Sequence, residues 1–250
     1  MLNSRFRTWY FLLALAACAP RPAAAHPFDE SYENVVVALD SYKKMADENL
    51  DDIELQYMYA DMLIMANKLD QSEQIIKQRI IARDPDYDMA YYLLSEVYYR
   101  KKQYKKSLEP LKHITAGDMK DDVFVVEATV YLQLKQPKKC LEKAQAAIKA
   151  DKTNPNGQLY VGLALRDMGR PGEALQHIEI SLLMDPYQPL VYDWLKELYE
   201  QELSLEDQLE RLQRIVKDMP YDSDFAIRVR NDIKTLKRRI EEKKSKGKKK

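Results

Sequence analysis

The sequence predicts an all-α protein built from stacked helix pairs, and three observations carry that expectation. Apolar residues recur at helical spacing along most of the chain, separated by short polar breaks. Pro186 and Pro220 stand 34 residues apart, each closing a segment that holds two such helical patterns. Only 6 of the 250 residues are glycine, which leaves little material for tight β-turns or phosphate loops. The composition narrows the class further. A hydrophobic share of 46% is too high for a disordered polymer, and 32% charge excludes a polytopic membrane protein.

The elements follow in chain order. Arg5 and Arg7 precede the uncharged run Trp9–Ala17, the layout of a secretory signal peptide over residues 1–17. A membrane-spanning helix needs about 20 apolar residues, and Pro20 and Arg21 stop this run well short. Leu15-Ala16-Ala17-Cys18 resembles the lipobox of bacterial lipoproteins. The resemblance implies cleavage before Cys18, a diacylglycerol on its sulfur and acylation of the new N-terminus. Two or three acyl chains hold a protein on a bilayer stably where one does not. Residues 18–27 then form a lipidated Pro/Ala tether. Ala19 is similar to the residue found in lipoproteins sent to the outer membrane, here facing the periplasm. The competing site is Ala23-Ala24-Ala25, whose use would release a soluble periplasmic or secreted protein beginning at His26. With Cys18 a thioether, Cys140 has no partner for a disulfide.

Residues 28–50 read as a helix, with Phe28-Asp29 as staple and cap and a stripe of Tyr32, Val35, Val36, Leu39 and Tyr42. Three later segments, Tyr87–Met119, Asn154–Pro186 and Pro189–Pro220, each show a helix, a polar break and a second helix. This pattern resembles the tetratricopeptide repeat, a 34-residue helix–turn–helix. The resemblance implies a right-handed superhelix of about five repeats over 53–220, bounded near 53–86, 88–120, 121–154, 155–188 and 189–220. The first repeat needs a one-residue slip to bring Pro85 into line. In that family a small residue occupies position 8 of the first helix, here Ala60, Ser95, Ala128 and Gly162. A second small residue at position 20 falls on Ser72, Ser107, Cys140 and Ala174. Both sites are points of close helix approach, where a large side chain would push the axes apart. Lys196 and Gln208 stand at these sites in the fifth repeat, which is expected to pack more loosely. Residues 223–242, opened by Ser223 or Asp224, read as a capping helix, and the Lys-rich 243–250 as a disordered tail.

No constellation of catalytic or metal-ligating residues emerges, so neither enzyme activity, a metal nor a cofactor is expected. The three histidines, 26, 113 and 177, are far apart, and Cys140 sits at a packing position. Gly169-Arg170-Pro171-Gly172 falls at a turn between repeat helices. The repeat resemblance implies instead a partner-binding groove on the first helices. Carried over by position, it includes Tyr57, Asp61, Tyr92, Glu96, Tyr99, Arg100, Arg166, Asp193, Glu197 and Glu200, with Trp194 one place beyond. Tyrosine interleaved with carboxylate suits a protein or peptide that carries basic and apolar groups. Charge is uneven: Cys18–Leu236 is net −9, and Lys237–Lys250 is net +7. The basic end is expected either to touch an anionic surface as an electrostatic tether or to act as a solubilising tail. Nucleic acid is not an expected partner. The combined expectation is a lipid-anchored envelope scaffold. In length and layout it is similar to lipoproteins that assist secretin or pilus assembly, or outer-membrane protein insertion.

Overall fold

A computed structural model describes residues 29–185, 188–217, 219 and 223–247. The expected signal peptide, Cys18 and its tether, and residues Phe28, Pro186, Pro220 and 248–250 lie outside the described residues. Twelve α-helices and no strand occur among those described: α1 Asp29–Glu48, α2 Ile53–Met65, α3 Leu69–Ile75, α4 Asp88–Arg100, α5 Tyr104–Leu111, α6 Lys120–Gln133, α7 Pro137–Ala150, α8 Pro155–Asp167, α9 Pro171–Met184, α10 Pro189–Glu202, α11 Leu205–Lys217 and α12 Asp224–Gly247. None of them is long and apolar enough to cross a membrane. The chain divides into two compact units, one ending at Leu134 and the other beginning at Lys135. That boundary falls inside the expected third repeat, between its two helices.

Local chemistry explains where the helices start and stop. Asp52 and Asn154 cap α2 and α8 by accepting from the backbone N–H of Leu55 and Asn156, each at 3.0 Å. Ser223 caps α12, accepting from Ala226 N–H at 3.2 Å. Proline opens α7, α8, α9 and α10, where its missing N–H has no bond to lose. The turns between paired helices end on a left-handed residue at Asn67, Lys102, Lys135 and Gly169. These four are spaced 35, 33 and 34 residues apart, in step with the small packing positions. Lys68 and Gln103 N–H then reach back to Leu63 and Tyr98 carbonyls at 2.8 and 2.9 Å, closing orphan carbonyls of α2 and α4.

The first unit departs from the regular repeat at one place. α3 continues as a π-helix, Ile76–Ile81, in which Ala82 N–H reaches the Lys77 carbonyl at 3.2 Å. A π-turn holds one residue more than an α-turn. It absorbs the slip expected in the first repeat, whose small residues are 35 rather than 34 ahead of the next pair. Buried Leu63, Ile64, Ile76, Ile80, Leu93 and Val97 fill this unit's main core. In the second unit the largest enclosed side chains include Leu159, Tyr160, Leu163, Ile178, Tyr192 and Tyr199. The last helix runs to Gly247, beyond the expected end at 242, because Glu and Lys favour helix and no proline or glycine intervenes before that residue.

Candidate functional site on the first helices

The eight small packing residues are all buried, most of them with no exposed surface at all. Ser72 Oγ donates to the Ala60 carbonyl at 2.8 Å, so one packing position bonds the other across the helix pair. Ser95 Oγ donates to the Ser107 carbonyl at 2.8 Å in the same way. At Gly162 a β-carbon would stand 2.5 Å from Ile178 Cγ1 and 3.1 Å from the Ala174 carbonyl, so α8 and α9 meet there without room for a methyl group. Cys140 Sγ lies 3.8 Å from the Tyr160 carbonyl, and burial followed by the nearby Asp167 charge pushes its thiol up to about 12. Such a thiol is a packing group and a poor nucleophile. In the fifth repeat Gln208 is accommodated by donating to the Tyr199 and Leu203 carbonyls at 3.0 and 3.1 Å. A cleft of about 140 Å³ lies beside it, lined by Lys196, Tyr199, Leu212 and Asp232.

The expected groove residues divide between the two units. In the first, Tyr92, Glu96, Tyr99 and Arg100 share one face of α4, at helical spacing. Tyr57, Tyr92 and Tyr99 are only 4%, 3% and 2% exposed, and Glu96 is buried with its carboxylate 2.8 Å from Arg100. Tyr57 packs edge-on against Tyr87, and Tyr92 and Tyr99 join a cluster with Leu111, Met119 and Val126. These tyrosines belong to packed clusters and offer almost no open contact area, contrary to the expectation of a tyrosine-lined surface. Asp61 is half-buried.

In the second unit the corresponding face of α10 is open. Leu190, Asp193, Glu197 and Glu200 are all exposed, while Trp194 is half-buried. α12 lies alongside α10 in the place that a further first helix would take. Asp193 pairs with Arg228, and Tyr192 Oη donates to Asp232 at 2.9 Å. Lys196 reaches the same Asp232 oxygen at 2.9 Å. Burial first, then the bond to Asp232, raises the Tyr192 hydroxyl well above its ordinary range. Ile227 stands next to Arg228 and is 46% exposed; Leu190, one turn before Asp193, is 39% exposed. On α10 itself Leu190, Asp193, Glu197 and Glu200 share one face at helical spacing, a strip with apolar Leu190 at one end and the Glu197 and Glu200 carboxylates at the other. Arg166 is separate, pairing with its neighbour Asp167 at 2.9 Å.

Two ionic clusters escaped the sequence reading. Glu179 on α9 is 4% exposed at its side chain and is held by Tyr199 Oη, Arg211 and Arg214, each at 2.6 Å. Glu73 on α3 accepts from Lys101 at 2.5 Å, Lys77 at 2.7 Å and Tyr98 Oη at 2.9 Å. Burial works to raise the Glu73 carboxyl, but the three donors outweigh it and bring it from the ordinary 4.5 to about 2. The only sequence signal for either was spacing close to one repeat between partners, as from Glu179 to Arg211 and Arg214. His113 is exposed and stacks on Tyr91 at 4.8 Å. His177 Nδ1 lies 2.8 Å from Gln158 Oε1, and burial lowers its pKa. No group of three metal-ligating side chains occurs among the described residues.

No protein-family model and no curated protein matches the chain. Among solved structures it is similar to TTC0263, a thermophilic TPR protein in Thermus thermophilus. Identity is 20% and TM-score 0.57, over 68% of this chain and 92% of that one. It is also similar to MamA 41-end from Desulfovibrio magneticus RS-1, with 19% identity and TM-score 0.52 over 66% of this chain and 99% of that one. A further MamA crystal structure is 16% identical with TM-score 0.52, over 66% and 97% of the two chains. At these identities the likeness shows the fold, a tetratricopeptide-type α-solenoid.

Proposed function

We propose that this chain is a non-enzymatic scaffold that holds a protein or peptide partner on the α10–α12 face, tethered to the cell envelope by lipid on Cys18. The observation that carries the binding half is the open strip of Leu190, Glu197 and Glu200 along α10. A large apolar side chain left in water next to uncompensated carboxylates fits a partner helix with apolar and basic groups. The fold supports the same reading, because stacked helix pairs provide extended surfaces for protein contacts. Lipid anchoring, outer-membrane placement and a role in assembling an envelope complex are extensions that rest on the Leu15–Cys18 motif. A second reading, the electrostatic tether, rests on the net +7 of Lys237–Lys250, of which Lys243 and Lys244 are exposed on the continued α12.

A photo-crosslinker at Glu197 in intact cells tests the binding half. The scaffold reading expects one partner captured by the parent chain and lost when Glu200 and Leu190 are changed to Lys and Asp. The same yield from both chains would overturn it. Intact-mass measurement of the mature N-terminus tests the anchor: diacylated Cys18 supports it, and an unmodified His26 replaces it with the soluble form.

A further inference from the structure

A cleft of about 500 Å³ opens in the first unit between α1, α2 and the α3–π segment. That volume lies in the range of small-ligand sites. Leu39, Leu63 and Ile75 give it a buried apolar floor. Gln71, Gln74 and Gln78 form one wall, spaced so that they share a helix face. Lys43 on α1 and Lys68 at the start of α3 stand at the rim, both exposed. Neither lysine side chain, nor that of Gln71 or Asp40, makes a hydrogen bond or ion pair among the described residues. Arg79, also in the wall, is already held by Asp47 at 2.8 Å. The free charges are therefore two lysines against Asp40, an excess that favours an anion.

The π-helix gives this cleft a second mark. Gln78 and Arg79 lie within it, so the one residue that breaks the repeat spacing is inserted into the cleft wall. π-turns cost regular hydrogen bonding and recur beside functional sites. The shape of the wall narrows the ligand. Seven residues of helix separate Gln71 from Gln78, a rise of about 10 Å. Three residues of extended chain cover the same length at about 3.3 Å each, whereas a single carboxylate does not.

We propose that this cleft binds a short acidic peptide in extended conformation. Its side-chain carboxylates pair with Lys43 and Lys68. Its backbone lies along the glutamine row: Gln74 Nε2 already donates to Gln78 Oε1 at 3.1 Å, which leaves each carboxamide a further donor and Gln71 and Gln74 an acceptor oxygen for peptide groups. A small apolar side chain turned inward meets the edges of Leu39 and Ile75.

Calorimetric titration of the full chain with blocked hexaglutamate tests this, with blocked hexalysine and free glutamate as controls. Hexaglutamate is expected to bind, and the K43A/K68A variant to bind at least tenfold more weakly. Both lysines are exposed and unpaired, so this variant keeps its fold. A second variant lacking Gln78 restores the 34-residue spacing and converts the π-turn to α. It is expected to retain helicity and its thermal transition while losing hexaglutamate. Absence of hexaglutamate binding, equal affinity in the parent and K43A/K68A, or comparable binding of hexalysine or free glutamate would each overturn the assignment.

Discussion

Gly162 shows how a single side chain sets the separation of two helices. Its absent β-carbon lets α8 approach until Ile178 Cγ1 would be 2.5 Å from a methyl group placed there. The neighbouring obstruction includes the Ala174 carbonyl at 3.1 Å, which is backbone and cannot swing aside. Gly162→Ala is therefore expected to destabilise the second unit by about 1–3 kcal/mol through overpacking. Gly172, on α9, supplies the control, since a β-carbon there meets nothing within 4 Å. Gly172→Ala is expected to be neutral or to stabilise by up to about 1 kcal/mol, because alanine gives up less backbone freedom in a helix. Urea unfolding of the two variants checks the contrast. Equal midpoints would mean that α8 and α9 can slide apart at no cost.

At the level of elements, Glu73 joins α3 to the end of α4 and to the π-segment. Its carboxylate takes a proton less readily in the fold than in the unfolded chain, so the cluster stabilises the fold above about pH 4.5. That stabilisation is lost as pH falls from there toward 2. The side chain is only 18% exposed, yet water still reaches the lysines around it. With that screening the contribution is about 1–2 kcal/mol, below the full value of the shift. Glu73→Gln is expected to lower stability by that amount at pH 7 and to approach the parent as pH falls to about 2. Melting temperatures taken from about pH 2 to 7 measure it, and a constant gap across the range would place the effect in packing alone.

The same scale explains what the sequence made legible. Ala60, Ser95, Ala128 and Gly162 could be read in advance because close helix approach restricts size at fixed intervals, a local rule with a period. The one-residue slip was readable for the same reason, although the π-turn that absorbs it was not. Positions with no size rule stayed hidden. Lys102 and Lys135 take the left-handed turn conformation without the glycine or asparagine that usually announces it. Tyr92 and Leu190 both occupy first-helix face positions, yet one is buried and the other open. That difference depends on what surrounds each helix, which a repeat register does not encode. Glu179 was invisible because its partners come from two other helices.

For the molecule as a whole, the division at Leu134 makes a claim about how perturbations combine. In a solenoid each helix pair draws its stability from itself and its immediate neighbours, and distant sites without shared partners add. Glu73 bonds to groups of the first unit, and the atoms nearest a β-carbon at Gly162 belong to α9 in the second. The double variant carrying Glu73→Gln and Gly162→Ala is therefore expected to lose the sum of the two single losses, within about 0.5 kcal/mol. The acid dependence should also pass unchanged into the double variant, because only the first unit contains the depressed carboxyl. A coupling above about 1 kcal/mol in a urea double-mutant cycle would show that the two sites are energetically linked. In that event the α10–α12 face and the glutamine-lined cleft would also be open to mutual influence, and binding at one would have to be measured with the other both empty and filled.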